Sequence, residues 1–172
     1  MNAHELREIQ RPLKQGYRDD PRSASIPTQA TGRIDLDAIT CHVATMSGET
    51  LAGLHRAAGG TEDLTCSADM VLQALVACAG VTLASVATAM SVPIRSATIT
   101  ADGHWDARGT LGVDREAPVG LTDVVLRFDL DTDADDAKVA RLVELTERYC
   151  VVAQTLMTPP TLSFTHDTSR RS

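Results

Sequence analysis

Between Ser67 and Pro93 the chain reads SADMVLQALVACAGVTLASVATAMSVP, with no charge after Asp69 and apolar residues on every side of a helical wheel. A helix with that pattern is buried all round, in protein or in lipid. Ser67 is placed to cap it, Asp69 sits in its first turn where a carboxylate meets the positive end of the helix dipole, and Pro93 stops it. Its Ala, Ser, Thr and Gly content, the lack of a basic flank and its isolation in the chain favour packing against a partner helix over a bilayer. An all-apolar helix in so small a domain also implies that a second subunit supplies part of its cover.

The remaining pattern is mixed. Ala3–Arg11 reads as a short helix ended by Pro12, inside a charged arm covering residues 1–30. Gly32 to Val43 begins with polar/apolar alternation and is rich in β-branched residues, as in a strand with one wet face, which makes Cys41 a strand residue. Ser47 to Thr65 holds four glycines, a His-Arg pair and three acids, and reads as a surface loop. Arg95–Asp106 and Leu121–Leu130 alternate as strands of an antiparallel sheet. The acids from Asp131 to Asp136 open a helix through Arg148, with Val139, Leu142, Val143 and Leu145 as its apolar stripe. Val151–Met157 is a short helical turn before Pro159-Pro160, Thr161–Thr165 a last strand, and 167–172 a tail. Strand clusters around one buried helix define an α+β domain over residues 31–166.

Charge narrows the partners. With 23 acidic residues against 16 basic ones the formal net charge is −7, and no Lys/Arg stripe interleaved with aromatics occurs, so nucleic acid and anionic membranes are poor candidates. The 172 residues suffice for one core without disulfide or metal staples. The first thirty residues carry charges throughout and lack the apolar stretch of a secretory signal, so a cytoplasmic location is expected.

Four cysteines, Cys41, Cys66, Cys78 and Cys150, form no C-x-x-C pair, and His42, His55, His104 and His166 show no ligand spacing; no metal or other cofactor is indicated. The plain reading of any one cysteine is a small buried hydrophobe. Cys78 lies mid-helix, sharing a face with Met70, Val71, Leu75 and Thr82, and apolar surroundings alone would raise its pKa. To attack, it needs a cation from elsewhere, and the preceding loop carries Arg56 beside His55. Cys150 precedes a short helical turn whose free N–H groups favour an anion, and it lies near Arg148. Two such thiols could act together, one attacking a peroxide O–O bond and the second condensing with the sulfenic acid. Cys66, at the mouth of the long helix, is a bystander or an alternative resolving thiol, while His104 and Trp105 read as surface and packing residues.

The run Ser67-Ala68-Asp69-Met70-Val71-Leu72-Gln73-Ala74-Leu75-Val76-Ala77-Cys78, followed later by Glu147-Arg148-Tyr149-Cys150-Val151-Val152, resembles the OsmC/Ohr family, with the likeness covering roughly residues 32–166. The resemblance implies an intertwined α+β homodimer with sites at the subunit interface and thiol-peroxidase activity on organic hydroperoxides. It implies Cys78 as the peroxidatic thiol, Cys150 as the resolving one, Arg56 as the thiolate's cation, and a thiol or dithiol reductant. Two positions depart from the family. The helix-start glutamate falls at Ala68, with Asp69 the nearest acid but rotated by about 100° on the helix, and Val151 stands where proline is common. The competing expectation is a non-catalytic OsmC-like protein that binds an apolar small molecule at the dimer interface. A purely structural dimerisation module would explain the apolar helix but neither cysteine.

Overall fold

The computed structural model describes residues 1–61 and 64–168. Tail residues 169–172 lie outside the described residues. A first helix, α1 (Ala3–Asp19), opens on a capping box: Asn2 Oδ1 accepts the His4 and Glu5 N–H groups, and the Glu5 carboxylate accepts that of Asn2. It runs through Pro12, where the sequence reading ended it. No residue of α1 is buried, so the Glu8 carbonyl orphaned by the proline is solvated and the helix continues beyond it. A 3₁₀ turn at Pro21–Ala24 follows.

The segment read as one strand at Gly32–Val43 is a hairpin of β1 (Gly32–Asp35) and β2 (Thr40–Thr45). The Asp35 carboxylate accepts the N–H groups of Asp37 and Ala38, and Ile39 takes the left-handed conformation, which together turn the chain. Cys41 is a strand residue of β2. The loop expected from Ser47 to Thr65 contains β3 (Gly48–Gly53), joined to β2 across Met46-Ser47; its glycines sit at the strand's two ends, leaving a pairing stretch between them. β4 (Thr65–Cys66) pairs parallel to β3, completing a four-stranded sheet of order β1-β2-β3-β4.

α2 (Ser67–Met90) starts directly from β4, so Cys66, not Ser67, is its N-cap, and no side chain caps it; Asp69 is in its first turn. Ser91 ends it in the left-handed conformation, with the Val92 N–H bonded to the Ala87 carbonyl. β5 (Ser96–His104) and β6 (Thr122–Asp131) form a separate antiparallel pair, linked through the short α3 (Ala107–Thr110). α4 (Asp136–Tyr149) is capped by Asp135, and α5 (Val151–Met157) follows after Cys150 alone. Thr161–Thr165, expected as a strand, pairs with no strand among the described residues, and Leu162 and Phe164 are exposed. Alternation makes a strand only where a neighbouring edge supplies hydrogen bonds.

The core forms where β5, β6 and α4 cover one stripe of α2. Leu75, Ala79, Leu83 and Ala87, spaced four apart, are its buried residues. The opposite side is open, with Val81 73% exposed, so one chain buries α2 along a stripe and not all round. Leu142 of α4 is fully enclosed in this cluster. Leu142→Ala is expected to cost about 3 kcal/mol of unfolding free energy, read as a lower urea midpoint with an unchanged m-value.

Candidate active site

Cys150 is both the C-cap of α4 and the N-cap of α5. Its own N–H bonds the Thr146 carbonyl at 2.9 Å, and its sulfur accepts the Ala153 N–H at 3.5 Å. The residue is fully buried against Leu75 and Ala79 of α2. That packing brings the start of α5 onto Cys78, which is half-buried on the same side of α2. The two thiols pack against each other and no disulfide joins them.

The two sulfurs differ in ionisation. Burial pushes the Cys78 thiol up, but the neighbouring Val152 N–H, Cys150 thiol, Val151 N–H and Thr82 hydroxyl favour its anion, and the net direction is below an ordinary thiol. Burial pushes Cys150 up as well; the Ala153 N–H opposes this only in part, and the neighbouring Cys78 raises it further. Of the two, Cys78 is therefore the more readily ionised and Cys150 the less. The apolar face of α2 alone would leave Cys78 without support, and neutral groups at the start of a different helix, α5, favour its anion. Arg148, expected to assist Cys150, lies over the Tyr149 ring, 5.9 Å from its centroid.

Arg56 and Asp69 do come together, but around a different sulfur. With His55, Thr61, Leu64 and Cys66 they line a cavity of about 280 Å³ at the start of α2. Neither is among the groups acting on the Cys78 sulfur. Asp69 and Cys78 are nine positions apart on one helix, about 13 Å along its axis. The Arg56 loop owes its shape to Gly59, left-handed at φ +90°, and to Gly60, where a Cβ would stand 1.7 Å from the Leu54 carbonyl oxygen.

Beside Cys150 opens an apolar cavity of about 470 Å³, walled by Leu75, Leu126, Phe128, Val143 and Met157, with Glu147 at its edge. Leu121 and Leu156 also line a second cavity of about 590 Å³ that reaches Trp105, His55, Val71 and Cys66. Trp105, read from the sequence as a surface or packing residue, lines this cavity and meets the His55 ring edge-on at 5.2 Å. His55 Nδ1 accepts the Ala57 N–H, which leaves its proton on Nε2. His104 is exposed at the end of β5. Among the described residues no group of three or more His, Cys, Asp or Glu side chains could hold a metal ion.

Fold and site together describe a mixed α+β chain whose central apolar helix carries a cysteine packed against a second one at a helix junction. The OsmC-like protein family profile matches residues 60–165, and the chain belongs to that family. No curated protein matches this sequence. Among solved structures it is similar to an OsmC-like protein from Mycoplasma pneumoniae (14% identity, TM-score 0.65, covering 78% of this chain and 90% of that one). It is also similar to an organic hydroperoxide resistance protein from Elizabethkingia anophelis (17%, 0.62, 78% and 91%). An OsmC-like protein of unknown function from Vibrio cholerae compares equally well (15%, 0.62, 76% and 94%).

Gly60→Ala forces the Arg56 loop off the Leu54 carbonyl. It is expected to lower stability by about 1–3 kcal/mol, measured as a shift in urea midpoint.

Proposed function

We propose that this chain is a thiol-dependent peroxidase for organic hydroperoxides. The observation that carries the reading is the contact between a thiol held low, Cys78, and one held high, Cys150. The Cys78 thiolate attacks the distal oxygen of a hydroperoxide; an S–O bond forms, the O–O bond breaks, and the alkoxide leaves with a proton as the alcohol. Cys150, already in contact, then attacks the sulfenic sulfur, and water departs as the disulfide closes. A thiol or dithiol, oxidised in turn, restores both groups, which suits a reducing compartment such as the cytoplasm. The apolar cavity beside Cys150 suits a substrate with a hydrocarbon body.

Homodimerisation belongs to the same reading. The chain exposes 13251 Å², whereas a compact chain of its mass would expose about 8100 Å². Ile34, Leu36 and Ile39 on the first hairpin, Val81 on α2, and Leu162 with Phe164 are all more than 60% exposed. A second copy that covers these surfaces also gives Thr161–Thr165 a sheet edge and offers Arg56 a route to the partner's thiolate. Arg56 and Asp69 enter the peroxidase reading by that route.

The rival reading is a binding protein for an apolar small molecule, favoured by the two cavities that share Leu121 and Leu156. To separate the two, the reduced protein is treated with cumene hydroperoxide or hydrogen peroxide and its disulfides are mapped by mass spectrometry. A Cys78–Cys150 bond should form rapidly with cumene hydroperoxide and vanish in Cys78→Ser, while Cys150→Ser should accumulate sulfenic acid on Cys78. No bond after prolonged exposure would end the peroxidase reading and leave the binding protein.

Light scattering during size exclusion should give twice the chain mass. A monomer with its apolar hairpin in water would contradict the dimer.

A further inference from the structure

Most of the hydrogen bonds that shape the Arg56 loop end on one residue. The 3₁₀ turn Arg56–Ala58 has His55 as its N-cap, and His55 Nδ1 accepts the Ala57 N–H at 3.0 Å. The His55 carbonyl accepts the N–H groups of Ala58 at 2.8 Å and of Gly60 at 3.1 Å, while the Gly59 N–H bonds the Arg56 carbonyl at 3.0 Å. Three of the four amides that follow Arg56 are thus held by His55. An N-cap is ordinarily a short side chain, Ser, Thr, Asn or Asp. The imidazole has to be set at two torsions before Nδ1 faces the amide, and His55 is exposed to solvent, where nothing about the ring itself would keep it there. Trp105 supplies the restraint. Its ring meets the imidazole T-shaped, with 5.2 Å between centroids and 88° between planes, an attractive arrangement for two rings. Trp105 is half-buried at the junction of β5 and α3, just before Asp106, whose carboxylate caps α3 by accepting the Arg108 N–H at 2.9 Å.

We propose that His55 and Trp105 are positioning residues for Arg56: Trp105 sets the His55 ring, the ring caps the turn that begins at Arg56, and the turn fixes where the arginine side chain leaves the backbone. The catalytic consequence rests on the peroxidase reading, in which Arg56 serves the partner's thiolate; the restraint on the loop does not. A long side chain goes where its backbone sends it. Gly59, at φ +90°, and Gly60, pressed on the Leu54 carbonyl, let the chain reverse after Arg56, but glycine adds no restraint of its own. The loop therefore depends on side-chain contacts to keep one shape, and the cap and the ring pair are such contacts, reaching it from a distant part of the chain. Trp105 is also a wall of the 590 Å³ cavity. One aromatic side chain thus shapes the apolar space and steadies the arginine loop beside it.

Amide hydrogen exchange of the full reduced chain tests the restraint without peroxide, read by mass spectrometry over residues 54–60 with a peptide from α4 as the reference for global opening. His55→Ala and Trp105→Ala should each speed exchange in 54–60 by about fivefold, the size of one lost cap, and leave α4 unchanged. His55→Asn restores an acceptor at the cap without the ring; it should recover most of the protection and no longer respond to Trp105→Ala. Combining His55→Ala with Trp105→Ala should match His55→Ala alone, because the tryptophan acts through the histidine. Unchanged exchange in His55→Ala, or additive effects in the double variant, would overturn the proposal. Should Trp105→Ala fail to fold, Trp105→Leu replaces it, keeping bulk without the ring. Disulfide formation under cumene hydroperoxide then reads the consequence for Arg56. His55→Ala should slow the Cys78–Cys150 bond, His55→Asn should restore it, and His55→Ala should add nothing to Arg56→Ala; further slowing in that double variant would mark a general structural effect and overturn the positioning role. A wild-type rate in Arg56→Ala, with loop exchange responding as expected, would remove the arginine from the peroxidase reading and leave the restraint on its loop standing.

Discussion

The arrangement depends on one contact, the packing of Cys150 and the start of α5 against the Cys78 side of α2. An anion inside an apolar cluster is costly unless donors are aimed at it. Here the donors come from a helix start created by a single-residue break: α4 ends at Tyr149, α5 begins at Val151, and Cys150 between them caps both. Shifting that break by one residue would rotate both the Val151 and Val152 amides and the Cys150 thiol away from α2. The enclosed Leu142 and Thr146 hold α4 in place, so core packing and thiol chemistry are one structural problem.

The same contact divides labour between two identical functional groups. Both sulfurs are desolvated, and burial alone would raise both. What separates them is the groups nearby: those at the start of α5 and the Cys150 thiol lower Cys78 past the effect of burial, whereas at Cys150 the Ala153 N–H offsets burial only in part. The neighbouring Cys78 raises Cys150 further, so the proximity of the two sulfurs itself drives their ionisation apart.

Much of this was legible in local pattern. The long apolar helix, the capped charged helix and the two cysteines are all short-range signals, and the helix spacing alone placed Thr82 on the Cys78 face. The docking of α5 on α2 was not legible, because it joins segments far apart in the chain through amides that any residue would supply. For that reason Cys78 read as needing a cation and Cys150 as the better-placed anion, the reverse of the structural order. Arg56 and Asp69 line one cavity, together with Cys66. Errors in the fold have similar origins: an Asp35 side chain turned one apparent strand into a hairpin, solvent rescued the helix at Pro12, and Thr161–Thr165 carries a strand pattern without an edge in its own chain.

That Cys78 ionises before Cys150 is tested most directly by ultraviolet thiolate absorbance followed against pH in Cys78→Ser and Cys150→Ser. The low-pH ionisation step should disappear in Cys78→Ser and persist, somewhat raised by loss of the Cys150 donor, in Cys150→Ser. A low-pH step that survives in Cys78→Ser and disappears in Cys150→Ser would contradict it.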